Sequence, residues 1–221
     1  MADPAARYYA IQQKEEELKR REKALKKANV EIEEDTHPPN FPPFCSVVYH
    51  NIAEEIPIAS QWTIRIAFIM ILALAVLVII NLIACCTTGT IKLGGSGASY
   101  SVGANIVFGV IIGILSVPLA FKINYYKLYT QAKTNNITLG WFALQAIFIL
   151  CFGYAAVGLK NNGVIGIITM LDALAAGSGF CKVICIISAV LWVLGTLVEI
   201  FLFGRVMVLY KGSGAPQPSV A

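Results

Sequence analysis

Four long stretches of the chain carry almost no polar side chains, and they set its architecture. Ile66–Ala84, Val102–Phe121, Leu139–Leu159 and Val183–Phe203 hold 19, 20, 21 and 21 residues. A hydrocarbon layer about 30 Å thick needs roughly 20 helical residues at 1.5 Å each. A helix buried in a soluble core is amphipathic and shorter, so each run reads as a membrane span. The fold expected is an all-α integral membrane protein, a four-helix transmembrane bundle with a charged, helical N-terminal cytosolic arm.

Before the spans, residues 7–35 lack Gly and Pro and are rich in Glu, Lys, Arg, Ala and Leu, which favours helix. Ile11, Leu18, Leu25 and Ile32 recur every seven residues, but Lys14, Arg21, Ala28 and Asp35 break the companion stripe a coiled coil needs. A solvated helix with i,i+4 pairs such as Glu15–Lys19 and Glu22–Lys26 fits this pattern, and so does a helix that meets a partner or anionic lipid through its basic cluster. Pro38, Pro39, Pro42 and Pro43 then predict an extended spacer. The organisation expected is an arm at 1–35, a Pro-rich linker and membrane approach at 36–61, a membrane domain at 62–211 and a short tail at 212–221.

The connectors differ in character. Thr87–Ser101, with Gly89, Gly94, Gly95 and Gly97, suits a tight loop. Lys122–Thr138 places Phe121, Tyr125, Leu128 and Tyr129 at i, i+4, i+7 and i+8, one helical face, with Tyr126, Lys122, Lys127 and Lys133 beside it. Aromatic rings favour the headgroup region and lysines reach lipid phosphate along apolar stems. Two readings stay open there: an interfacial amphipathic segment, and an ordinary basic loop with belt aromatics. In the third connector Val164–Leu174 is apolar but too short to cross, so it lies in the interface or dips into the membrane.

Composition agrees with this division. The chain is 57% hydrophobic and 14% charged, with a mean hydropathy of +0.69, whereas soluble domains carry about 25% charged residues. Residues 1–60 hold 11 acids and 8 bases; the remainder holds 9 bases and only Asp172 and Glu199. Arg65, Lys122, Lys127, Lys133, Arg205 and Lys211 flank one side of the spans and Lys92, Lys160 and Lys182 the other, which places both termini in the cytosol. The first 30 residues have no apolar signal core, so the first span is expected to direct insertion. Asn136-Ile137-Thr138 matches a glycosylation acceptor that this orientation keeps unmodified.

Inside the spans, Glu199 is the sole acid, and it is expected to snorkel toward the near interface beside Arg205. Gly109 and Gly113 form a small-xxx-small packing motif. Asn81, Asn105 and Gln145 are expected to bond between helices, and Pro118 to kink the second span. Of six cysteines, Cys85, Cys86, Cys181 and Cys185 fall near the far side. Free thiols there are expected, with a bridge from Cys85 or Cys86 to Cys181 the alternative.

No nucleotide loop, metal-ligand spacing or catalytic grouping of Ser, His and Asp is present, so neither an enzyme nor a cofactor or metal site is expected. Acids beside the arm's basic cluster remove any case for nucleic acid.

Several motifs together resemble one family. Asn40-Phe41-Pro42-Pro43-Phe44-Cys45 resembles the Asn-Trp-Pro-Pro segment that precedes the membrane in secretory carrier membrane proteins. Glu55-Ile56-Pro57 with Gln61 resembles that family's Glu-Ile-Pro-x-x-x-Gln stretch, and Tyr126-Lys127-Leu128-Tyr129 its Tyr-Lys-Ala-Phe connector end. Gly158-Leu159-Lys160-Asn161, and Leu209-Tyr210-Lys211 with Gly214-Ala215, echo its third connector and tail, so the likeness runs from about residue 14 to residue 215.

The resemblance implies a non-enzymatic component of post-Golgi and endosomal membranes, acting in vesicle recycling and exocytosis. Its second connector would bind membrane lipid, anionic phosphoinositide included, through Phe121–Tyr129. Cytosolic trafficking proteins would bind the arm, and a second copy of the chain is a further candidate partner. Two departures stand out. Ala120, Phe121, Ile123 and Asn124 replace the family's Cys, Trp, Arg and Pro, and the chain lacks the Asn-Pro-Phe repeats that recruit endocytic adaptors. A small transporter lined by Glu199, Asn81, Asn105 and Gln145 is the competing reading, and a junction- or myelin-type tetraspan protein a third.

Overall fold

The computed structural model describes residues 13–21, 23–24, 38–42, 48–93 and 100–212. They fall into two units that divide after Asn51.

The first unit contains a helical stretch over 13–21, on which Arg21 and Glu17 pair at 2.7 Å while both remain exposed. The heptad positions Ile11, Leu25 and Ile32 lie outside the described residues. The Pro-rich segment, expected to be extended, turns back on itself. Phe41 and Val48 form an antiparallel bridge. The Asn40 carboxamide accepts the His50 N–H at 2.7 Å and donates to the His50 carbonyl at 3.1 Å. One asparagine thereby satisfies both backbone groups of the returning strand, something a chain of prolines cannot do for itself.

The regular secondary structure of the second unit is helical among its described residues. A single turn, α1 (Ile52–Glu55), precedes α2 (Ile58–Thr87), which ends in a 3₁₀ turn at Thr88–Thr90. α3 (Val102–Leu119) runs through a π-helical turn at Ala120–Tyr125 into α4 (Tyr126–Lys133). α5 (Leu139–Val157), α6 (Ile167–Ala176) and α7 (Gly179–Gly212) follow. Four helical rods are long and apolar enough to cross a membrane, and α6 is too short.

Three of these rods outrun the apolar segments that define them. The first, second and fourth hold 33, 32 and 33 residues, about 48–50 Å at 1.5 Å each, against the third's 19 residues and about 29 Å. The long rods therefore project past the hydrocarbon at the end that carries Glu55, Lys133 and Gly212, called the near end below. Pro118 lies within the second rod without ending it. The π turn that follows it, closed by the Tyr126 N–H on the Phe121 carbonyl, resets the ladder and lets the helix continue.

The rods are packed in the order second, first, fourth, third, each against its sequence-antiparallel neighbour. The second and third meet chiefly at the π turn, which leaves them apart along the rest of their length. Large apolar side chains point outward from all four rods: Ile79 is 61% exposed, Val107 57%, Leu150 72% and Leu194 51%. No water-soluble monomer leaves a girdle of this kind uncovered, and lipid is the solvent that suits it. Two buried clusters lie inside, a large one with members from Ile56 to Val206 and a smaller far-end one around Cys85, Tyr100, Ile165 and Cys185.

Candidate functional site

The second connector is built onto the end of α3, and it is anchored from the other side by the approach to the first span. Lys133 Nζ lies 2.8 Å from Glu55 Oε1, and the Tyr129 hydroxyl donates to the same carboxylate. Gln61 bends back from α2 to donate to the Ile56 carbonyl at 2.9 Å and the Ala53 carbonyl at 3.1 Å. The Glu55-Ile56-Pro57 and Gln61 stretch therefore works as one clamp. Proline starts α2, glutamine ties down the turn before it, and glutamate grips the connector.

This anchoring changes which residues face lipid. Tyr125, Leu128 and Tyr129, expected on an interfacial face, are turned into the protein and buried. Tyr125 packs on Phe68 with ring centroids 5.5 Å apart and on Phe121 at 5.7 Å, and Tyr126 stacks on Tyr129 at 6.2 Å. The Trp141 indole N–H donates to the Asn124 carbonyl at 3.3 Å and fixes the π turn to α5. Phe121 is half-buried at the edge of this cluster. An apolar helical stripe satisfies lipid and protein equally, and here protein takes it.

The basic residues divide in the same way. Lys133 is held by Glu55. Lys122 is exposed and Lys127 half-exposed, and neither makes an ion pair among the described residues. Together with Pro118, Leu119, Ile123, Tyr126 and Leu144 they line a surface cleft of about 650 Å³ at the near end of the second and third spans.

Deeper in the membrane, Glu199 departs from the snorkelling position expected of it. α7 continues to Gly212, so Glu199 stands well before the helix end, inward-facing and 5% exposed. Gln145 of α5 donates to its carboxyl at 2.5 Å and to its backbone carbonyl at 3.3 Å. Arg205 is not its partner in any described contact. A carboxyl placed so deep is cheaper facing a carboxamide than facing lipid. The two glycines of the packing motif also separate: a Cβ on Gly109 would meet Cys85 Sγ at 3.2 Å and the Gly163 carbonyl at 3.4 Å, while Gly113 has open space around it.

The far end is closed by the third connector, which dips among the spans before α6 begins. Asn81 donates to the Gly163 carbonyl at 2.7 Å and accepts the Ile165 N–H at 2.8 Å, and the Trp192 indole reaches the same oxygen at 3.3 Å. Asn105 accepts the Gly163 N–H at 3.4 Å and donates to Thr88 at 3.1 Å. Non-helical backbone at this depth survives only where side chains satisfy it. Asn81 and Asn105 therefore act as supports for this loop.

Above the loop, Asp172 takes a 2.7 Å hydrogen bond from Tyr100 and a 2.8 Å contact from Lys160. Burial works against the Asp172 charge, yet the hydrogen bonds from Lys160 and Tyr100 outweigh it and hold the carboxyl below the usual carboxylate range. Burial and the Asp172 carboxylate push the Tyr100 hydroxyl well above its ordinary range, so it remains a donor. Cys85, Cys86, Cys151, Cys181 and Cys185 are free thiols, and Cys45 lies outside the described residues. No grouping of His, Cys, Asp and Glu among the described residues could hold a metal ion.

Sequence reasoning missed the role of Glu55 and Trp141 in fixing the connector. Tyr129 and Lys133 lie 74 and 78 residues beyond Glu55, and Trp141 meets a backbone carbonyl, which no side-chain pattern marks.

Four antiparallel apolar rods, an outward girdle and a basic near end define a four-span helical membrane protein. The SCAMP family model matches residues 38–213. The chain is 32% identical over 197 residues to secretory carrier-associated membrane protein 1 of Arabidopsis thaliana, covering 86% of this chain and 65% of that protein. It is 27% identical to secretory carrier-associated membrane protein 4 of the same plant, covering 92% and 74%, and 32% identical to number 3 of Oryza sativa subsp. japonica, covering 87% and 66%. The chain belongs to the SCAMP family, and spans about two thirds of the length of these relatives. No solved structure matches it.

Proposed function

We propose that this protein is a membrane-trafficking component of secretory and endosomal carriers, acting in vesicle recycling and exocytosis. Its near end faces the cytosol, where Lys122 and Lys127 gather anionic lipid, phosphoinositide included, and the N-terminal arm recruits cytosolic trafficking proteins. Family membership supports the setting, since the relatives are named for secretory carriers. The lipid role rests on one observation: Lys122 and Lys127 have no ion-pair partner among the described residues at the end of a span, while neighbouring Lys133 is held by Glu55.

Each lysine near a membrane surface contributes about 1 kcal/mol to attraction of anionic lipid. The full chain in nanodiscs should bind phosphoinositide about 30-fold more weakly at moderate salt when Lys122→Gln and Lys127→Gln are combined. Lys133→Gln should have a much smaller effect. Equal binding by the native chain and the double variant would refute the lipid-gathering role.

A transporter reading draws chiefly on Glu199 and its partner Gln145, since Asn81 and Asn105 bond the far-end loop. Flux in reconstituted vesicles that disappears in Glu199→Gln would favour it.

A further inference from the structure

The gap between the second and third spans is large, and its surroundings define what could fill it. The cavity measures about 580 Å³, within the range of pockets that hold small molecules. Ile111, Ile112 and Leu115 form one wall, and Ile147, Phe148 and Cys151 the other. Leu74 and Trp192 of the first and fourth spans form its floor. At the far end, Val164 and the buried loop close it. At the near end it continues past Leu119, which lines both spaces, into the cleft of Lys122, Tyr126 and Lys127.

The cleft and the cavity thus adjoin at Leu119, an apolar space with a cationic one at its near end. Ser116 lies on its wall, and its hydroxyl is buried with no hydrogen-bond partner among the described residues. It sits six residues before Lys122, about 9 Å along the helix. An amphiphile with a long alkyl chain, a polar ester and an anionic head reproduces that order of apolar wall, hydroxyl and ammonium groups. Free inorganic phosphate or a soluble anion would leave the apolar wall unmatched. A sterol would leave both lysines unpaired.

We propose that the groove between the second and third spans holds one acyl chain of an anionic glycerophospholipid, whose phosphate is met by Lys122 and Lys127 and whose ester faces Ser116. The headgroup half of this inference rests on the lipid-gathering role proposed above; the chain half is independent of it. A lipid seated there would fill the space that the spans leave between them, tying the connector's conformation to the composition of the surrounding leaflet.

Trp192 on the groove floor supplies the test. The full chain is placed in nanodiscs containing either phosphatidylserine or phosphatidylcholine with brominated acyl chains, and tryptophan fluorescence is followed. Brominated phosphatidylserine should quench saturably, half-maximally at about a tenfold lower mole fraction than brominated phosphatidylcholine. Trp192→Phe should remove the saturable part, and Lys122→Gln with Lys127→Gln should abolish the headgroup preference. Cys151→Phe, which narrows the groove from an exposed position, should remove saturable quenching by both lipids while leaving enrichment of headgroup-labelled phosphoinositide around the protein unchanged. Linear quenching of equal strength by both lipids, or the same saturable quenching in Trp192→Phe, would overturn the inference. Headgroup enrichment without Trp192 quenching would sink the groove alone; saturable quenching without any headgroup preference would sink the anionic assignment and the lipid-gathering role together.

Discussion

The side-chain oxygen of Asn81 accepts the backbone N–H of Ile165 at 2.8 Å, joining residues 84 positions apart. The same carboxamide donates to Gly163, so a single residue of the first span holds a non-helical loop inside the membrane. Asn81→Leu keeps the volume and removes every one of these bonds. It should destabilise the protein by about 2–4 kcal/mol, because a buried N–H and carbonyl lose their partners together. Unfolding in mixed micelles measures this, and a loss below about 0.5 kcal/mol would show that the loop finds other support.

Glycine substitutions separate close approach from mere smallness. Gly163 has φ +77°, and a Cβ there would lie 2.4 Å from the Gly109 nitrogen. Gly163→Ala should cost several kcal/mol through backbone strain and collision. Gly113→Ala should be neutral or stabilise by about 0.5–1 kcal/mol, since it meets open space in a helix interior. Thermal stability in detergent ranks the two; a reversed order would contradict the packing.

What could be read from the chain and what could not follows from the range of each signal. The spans were legible because hydrocarbon thickness imposes a local length rule. Their extensions to Ile58 and Gly212 were not, since charged residues such as Arg65 and Lys211 fit a helix beyond the membrane as well as a loop. The stripe of Phe121, Tyr125, Leu128 and Tyr129 was visible, but apolarity does not tell lipid from protein. Contacts distant in sequence decide the orientation, above all Glu55, 74 residues before Tyr129. Glu199 poses the same difficulty, since the helix length that sets its depth and the partner Gln145 are both non-local. Asn81, Asn105 and Gln145 were expected to bond between helices; Asn81 does so by accepting from Trp192 and Gln145 by donating to Glu199, but the loop that Asn81 and Asn105 satisfy was not foreseen.

The clamp between Glu55 and the connector should appear as thermodynamic coupling. The Lys133 and Glu55 side chains are 22% and 12% exposed, so solvent screens the pair less than a surface bridge. A double-mutant cycle with Glu55→Gln and Lys133→Gln should give a coupling energy of about 1–2 kcal/mol. Additive effects of the two changes would mean that the pair contributes nothing in the membrane.

At the far end, acid should release the tie from α6 to Tyr100 and Lys160 of the flanking connectors. The folded Asp172 carboxyl titrates below the unfolded one, whose pKa is about 3.9. Its contribution is therefore present above the unfolded value and disappears as pH falls through the folded one. The contribution of Asp172 to thermal stability should not vary with pH between about pH 5 and pH 7, on an order-of-magnitude view of this carboxylate linkage, and should decline in more acidic solution. Asp172→Asn should flatten that acid limb and lower stability near neutrality. An unchanged acid limb in the variant would assign the titration to another group.

The central claim is that lipid covers the outward faces of four rods while the near-end lysines stay wet. Nitroxide labels at Ile79, Val107, Leu150 and Leu194, all outward-facing, and at Lys122 in a reconstituted bilayer test it directly. The four apolar positions should collide freely with dissolved oxygen and be shielded from a water-soluble nickel complex, with the reverse at Lys122. Ready access of the nickel complex to any of the four would contradict the four-span account.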